Sequence, residues 1–314
     1  MKKHLNNINA ASLFHFTKNL GSLQNIIKKG LRFSYAFEPY DPDIILGELY
    51  PSVTTPNTND KEICKDLGVS IPMVCFCDIP LLRTAEHAKK YGSYIIGLDK
   101  KFLSYIYSPI INPVLYINSE NAKQLVVDFA KKKANADREK TNLSCSDEVL
   151  EIYTKGGMEA VLSDKTISQQ LDSFTDDVFY SNFILGLTKP YGEIDSKGNY
   201  VCYYDEREWR AFLSDRCDPD TNWIWGVTND VHNQSVKSRN KGIENSGAGF
   251  ITIPEGFLYS AITHIIVRKD IEIENLINTI MCAKTIFGNK DISEREKLLL
   301  VSKITSFERI ALDY

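Results

Sequence analysis

Asn199-Tyr200-Val201-Cys202-Tyr203-Tyr204-Asp205-Glu206-Arg207-Glu208-Trp209-Arg210-Ala211-Phe212 is the stretch on which the reading of this chain turns. Its first half is dense in Val and Tyr, residues that suit a pleated, half-buried surface. Charges then alternate with bulky side chains. Read as one extended strand, Glu206, Glu208 and Arg210 fall on one face, and Arg207, Trp209 and Ala211 on the other. Two carboxylates on one face repel, and each loses solvation once that face is covered. Such a pair persists where cations balance it or where a cleft uses it. The stretch therefore reads either as a Glu–Arg ladder on a sheet or as one wall of a site.

Strand signals accompany it at both ends of the chain. Leu13-Phe14-His15-Phe16-Thr17 is a short strand in which His15 faces away from Phe14 and Phe16 and shares a face with Leu13 and Thr17. Leu20, Leu23, Ile26 and Ile27 form a helical stripe that stops at Gly30, and the chain is extended again through Phe37. Glu38 to Ser70 carries four prolines and many Asp and Asn residues. That composition predicts a long loop with a short helix near residues 61–67. Pro72 to Cys77 is a near-continuous apolar run, predicted to be a central strand stopped by Asp78 and Pro80. Further strands are expected at residues 94–98, 113–117, 250–253 and 262–267, and residues 215–247 read as polar and turn-rich. Residues 119–187 change character to a mostly helical insertion, with Leu125, Val126 and Phe129 on one side of its first helix and lysines on the other. Two helices, over 272–287 and 293–304, close the chain. Helices grouped rather than alternating with strands imply an α+β fold, read as a single domain over 1–314 with the insertion inside it.

The totals narrow the functional classes. With 43% hydrophobic and 25% charged residues in 314, the chain has the composition of an ordinary globular protein with ample core. A net charge of -4 argues against holding nucleic acid by bulk charge, so nucleic acid enters only as a substrate. The seven cysteines show no metal-type pairing: Cys75 and Cys77 form a lone Cys-x-Cys with no second pair at finger spacing. No metal site is expected, and buried reduced thiols are. No stretch approaches a membrane span and Met1 to Asn7 leads into no apolar leader, so the expectation is a cytoplasmic protein with no membrane partner. There is no Gly-x-Gly-x-x-Gly after a strand, no phosphate-binding Walker loop, no Gly-x-Ser-x-Gly elbow and no His-Glu-x-x-His.

The ordered set Leu13–Thr17, Gly30-Leu31, Pro72–Pro80, His87, Tyr91–Leu98, Asn112–Tyr116, Tyr204–Arg210 and Lys303–Ile310 resembles the AbiGi family of bacterial abortive-infection, or antiphage, proteins. That resemblance implies antiviral defence, within a toxin–antitoxin pair in which the AbiGi component is the antitoxin. The partner would be a toxin or a phage-derived component.

A second likeness concerns mechanism. A strand with His-x-Thr, a helix ending at Gly and a late strand with Glu-x-Glu is similar to the layout of ADP-ribosyltransferases. It implies a split β-sheet core and NAD as substrate. His15 would bond the NAD ribose with Thr17 in support, Glu208 would be the catalytic glutamate, Glu206 would orient or deprotonate the acceptor, and Tyr35 or Tyr94 would stack on nicotinamide. A fixed carboxylate in a dry cleft would stabilise the positive charge that develops as nicotinamide leaves. Three readings stay open: an NAD-dependent ADP-ribosyltransferase acting on a macromolecule, a non-catalytic antitoxin or regulator, and some other enzyme or binding module of phage sensing. The first needs His15 and Glu208 to line one hollow.

Overall fold

The apolar run before Asp78 is the middle of the molecule. In the computed structural model, which describes residues 10–51, 57–107, 110–194, 198–213, 223–246 and 249–313, it forms β3, Leu67–Cys77, an eleven-residue strand with almost every side chain buried. The other strands of its sheet are β1 (Ser12–Thr17), β2 (Ser34–Pro39), β4 (Tyr94–Asp99), β5 (Ile111–Pro113), β6 (Glu208–Phe212), β7 (Ile224–Thr228), β8 (Ile262–Val267) and β9 (Ile304–Ser306). Their order is β9-β8-β4-β1-β3-β6-β5, with β2 and β7 also paired to β3. Pairing is antiparallel except between β8 and β9. Because β3 is twice as long as its neighbours, it is flanked twice on each side. Cys77 sits opposite Phe14 on one side and Glu208 on the other, and Met73 sits opposite Ser34 and Phe212.

These registers fix the two faces of the sheet. Residues directly opposite one another across a ladder point the same way, and successive residues point opposite ways. Phe14, Cys75, Cys77, Glu208, Arg210 and Phe212 therefore share one face. Leu13, His15, Thr17, Val74, Phe76 and Trp209 share the other. The His15 face is covered by α1, Leu20–Lys29, whose Leu23, Ile26 and Ile27 join Leu13, Phe76 and Ile96 in the main core. Each such side chain contributes about 1.5–3 kcal/mol relative to exposure. Asn19 caps α1 by accepting from the Ser22 N–H. Gly30 ends it at φ +99°, where a Cβ would lie 2.4 Å from the Ile251 carbonyl oxygen, so only glycine fits this stop.

The Glu208 face is covered from elsewhere. Ile45 and Leu46 of α2 (Pro42–Leu49), Val126 and Ala130 of α3 (Glu120–Ser144) and Leu185 pack on Ile71, Met73 and Phe212. With α4 (Asp147–Ser163) and α5 (Lys165–Leu187), α3 makes residues 120–187 three consecutive helices.

Three sequence expectations are corrected. The stretch 38–70 is not a long loop: it holds the end of β2, helix α2, a helix over Thr58–Cys64 and the start of β3. Prolines suggested a loop, yet Pro42 follows the Asp41 N-cap, where a missing N–H costs nothing. Residues 229–246 form a helix, α6, rather than turns; Asp215 to Asn222 and Cys217 lie outside the described residues. Last, Tyr200–Phe212 is not one strand. Tyr200–Cys202 pairs with Gly192–Ile194 in a separate ribbon, Tyr203–Glu206 is a 3-10 turn, and only Glu208–Phe212 joins the sheet. The break is Arg207, at φ 43°, a left-handed conformation outside the strand region. Glu206 and Glu208 consequently do not follow the two-residue strand spacing.

Candidate functional site

Glu208 opens β6 at the covered face, and Arg210 follows it two residues on. Arg210 is completely buried and is held at every edge of its guanidinium. Nε donates to Glu208 Oε1 at 2.8 Å and Nη1 to the Gly186 carbonyl at 2.9 Å. Nη2 donates to Glu38 Oε2 at 2.7 Å and to Glu208 Oε2 at 3.3 Å. A planar fork is what this geometry requires; an ammonium could not span it. Lys189, just beyond α5, donates to Glu208 Oε2 at 3.0 Å and to Glu206 Oε2 at 2.7 Å. Glu206 also accepts from Lys90 Nζ at 2.6 Å and Tyr91 Oη at 2.5 Å. The Tyr116 hydroxyl accepts from the Glu208 N–H at 2.8 Å.

Three carboxylates thus meet three cations in one chain that runs from buried Arg210 out to exposed Lys90. Burial by itself would raise the Glu208 carboxyl, but Arg210 and Lys189 override it and hold it well below the usual carboxylate range. Glu206 is lowered in the same way, with Lys189 the main counter to burial. Burial pushes the neighbouring Cys75 and Cys77 thiols up, and the nearby Glu208 charge adds to it, so both stay protonated and unreactive. The Glu–Arg ladder is present between Glu208 and Arg210. Glu206 instead draws on Lys90 and Lys189, cations that no local spacing announces.

His15 lies on the other face. Its Nδ1–H donates to the Cys75 carbonyl oxygen at 2.8 Å, which fixes the tautomer and leaves Nε2 an acceptor. Burial lowers its pKa against that bond. His15 and Thr17 line a polar cleft of about 410 Å³ with Asn25, Lys29, Arg32 and Glu244, a size within the range of small-molecule sites. Glu244 pairs with Lys29 at 3.0 Å and Arg32 at 3.7 Å, so two cations share one carboxylate. Neither Tyr35 nor Tyr94 lines this cleft. Tyr94 stands opposite Thr17 and its hydroxyl donates to Glu272 at 2.7 Å, while Arg239 lies over the Tyr35 ring at 5.8 Å. Of the six residues singled out from sequence, His15 and Thr17 are together, and Glu206 and Glu208 are together. The two pairs are divided by the sheet. Lys29 and Arg32 were missed, although cations flanking the Gly30 stop were a visible signal. Among the described residues no cluster of three or more His, Cys, Asp or Glu is placed to hold a metal ion, and no helix is long and apolar enough to cross a membrane.

Residues 52–240 match the family model described as "Putative abortive phage resistance protein AbiGi, antitoxin". The chain belongs to the AbiGi family. An abortive phage resistance protein AbiGi of Lactococcus lactis subsp. cremoris is 27% identical over 249 residues, covering 78% of this chain and 89% of that protein. No solved structure matches. The AbiGi match takes in Lys90, Lys189, Glu206, Glu208, Arg210 and the whole of α3, α4 and α5, and it begins after His15, Arg32 and Glu38.

Proposed function

We propose that this AbiGi protein is a non-catalytic antitoxin that neutralises a partner toxin by protein contact. One observation carries the reading: Glu208 points away from His15 across the sheet and is closed by Arg210 and Lys189. A glutamate meant to stabilise an oxocarbenium ion needs an open cleft and an unneutralised charge, and this one has neither. The description of the AbiGi family as an antitoxin supports a toxin as the partner. The test is co-expression with a candidate toxin from the same organism. His15→Ala is expected to protect cells as well as the parent protein does, and Glu208→Gln to protect in proportion to the folded protein present. Loss of protection in His15→Ala at an unchanged melting temperature would overturn the reading and return the chemistry to the cleft.

The cleft favours a second reading, in which the protein binds NAD without transferring ADP-ribose. His15 Nε2 and Thr17 would meet a ribose hydroxyl, and Lys29 and Arg32 the pyrophosphate. This reading leaves Glu206 and Glu208 in a structural role.

A further inference from the structure

The net negative charge of the chain is concentrated in one place. Residues 146–187, which comprise α4 and α5, carry two lysines against eight carboxylates, a charge of -6. The whole chain carries -4, so everything outside this segment is +2. The same segment presents apolar side chains to solvent. On the first half of α4, Leu150 and Tyr153 are 48% and 51% exposed; on the second half, Met158 and Leu162 are 60% and 58% exposed. The spacings, three and four residues, put each pair on one side of its half-helix. The halves are separated by Gly157, at φ +67° with nothing within 4 Å of where its Cβ would be. The break is therefore not forced by packing.

Core demands do not explain these exposed side chains. The insertion already has its own small core, Val149, Val161 and Ile167 with Leu143, Ile152 and Leu171, separate from the main cores. Leu150, Tyr153, Met158 and Leu162 are surplus to it. Scattered apolar side chains are ordinary on a surface, but an exposed apolar pair on each half of this broken seventeen-residue element is the composition of an interface centre. The acids around them, Glu148, Glu151 and Glu159 among them, form the rim.

We infer that α4 is the toxin-docking element of this protein, and that the face it covers on the toxin is cationic with an apolar centre. The inference rests on the antitoxin reading above and adds to it the surface and the partner's chemistry. An acidic rim steers association with a cationic face and makes it depend on salt. The apolar side chains then set how long the complex lasts. The +2 remainder of the chain would repel such a partner, which orients the encounter toward the insertion.

Binding of a purified candidate toxin from the same organism, measured by titration at low and high salt, tests it. Tyr153→Ser with Leu162→Ser is expected to weaken binding by about tenfold or more, with an unchanged melting temperature because both side chains are exposed. Glu148→Lys with Glu159→Lys is expected to weaken binding at low salt, with the difference from the parent shrinking at high salt. Parent-like affinity in both double variants overturns the inference and leaves the antitoxin reading standing. A parent chain that dimerises through this helix, with toxin affinity untouched by either pair, makes a second copy the occupant and also overturns it. A parent chain that neither binds nor neutralises the toxin overturns the antitoxin reading and, with it, this one.

Discussion

The two faces of the sheet carry the same kinds of residue and hold them in opposite states. On one, Arg210, Lys189 and Lys90 meet Glu38, Glu206 and Glu208, and each charge is answered. On the other, Lys29 and Arg32 share Glu244 at the edge of a cleft, with a neutral His15 behind them. A carboxylate two residues from another reads as chemistry in sequence, but availability depends on spare bonding capacity. The paired acids each already accept three bonds from cations or a hydroxyl, whereas the cleft has a surplus cation and an open acceptor. On the proposed reading the paired acids are an ionic keystone, and the lone histidine faces the open volume.

The contrast can be broken most severely at Arg210. Arg210→Met is expected to cost about 3–5 kcal/mol, because it strands Glu208 and Glu38 at a covered face; a denaturant titration measures it. Arg210→Lys is expected to recover little of that loss, since an ammonium cannot fork between two carboxylates and the Gly186 carbonyl. Acid gives a smaller and graded break. The folded Glu208 value lies below its ordinary 4.5, so its contribution is complete above that pH and is lost as pH falls from there toward the folded value. Urea midpoints between about pH 6 and about pH 3 should decline accordingly, and Glu208→Gln should flatten part of that decline while lowering the plateau. A plateau unchanged in Glu208→Gln would mean that the network does not hold the sheet. The smallest effect belongs to the cleft: if NAD binds there, it raises the melting temperature of the parent protein and not of His15→Ala, with both equally stable when empty. An equal response in the two would place NAD elsewhere.

The strands were legible wherever burial makes a run continuously apolar, as in β3, β4 and β8, and in β1, where the alternation correctly set His15 with Leu13 and Thr17. The helix α1 and its Gly30 stop were legible for the same local reasons. The insertion announced itself by composition. Illegible were features decided at a distance or by a single dihedral. Arg207 in the left-handed region keeps Glu206 out of the strand, and nothing in its neighbours reports this. Lys90 reaches Glu206 across 116 residues of sequence. The meeting of His15 with Glu208 failed for a topological reason. Both strands do flank β3, but Phe14, not His15, stands level with Glu208, and one step along a strand reverses the side.

The length of β3 has a consequence for how the protein is made. Its first flank, β1 and β2, precedes it on the chain, so a nascent polypeptide can pair that side as soon as β3 leaves the ribosome. The second flank comes from residues 208–212 and 224–228, after the whole helical insertion has been translated. Until then one edge of the most apolar strand in the molecule stands bare, the situation in which chains pair with the wrong neighbour. Slower synthesis through the insertion is therefore expected to lower the share of chains that reach the native state.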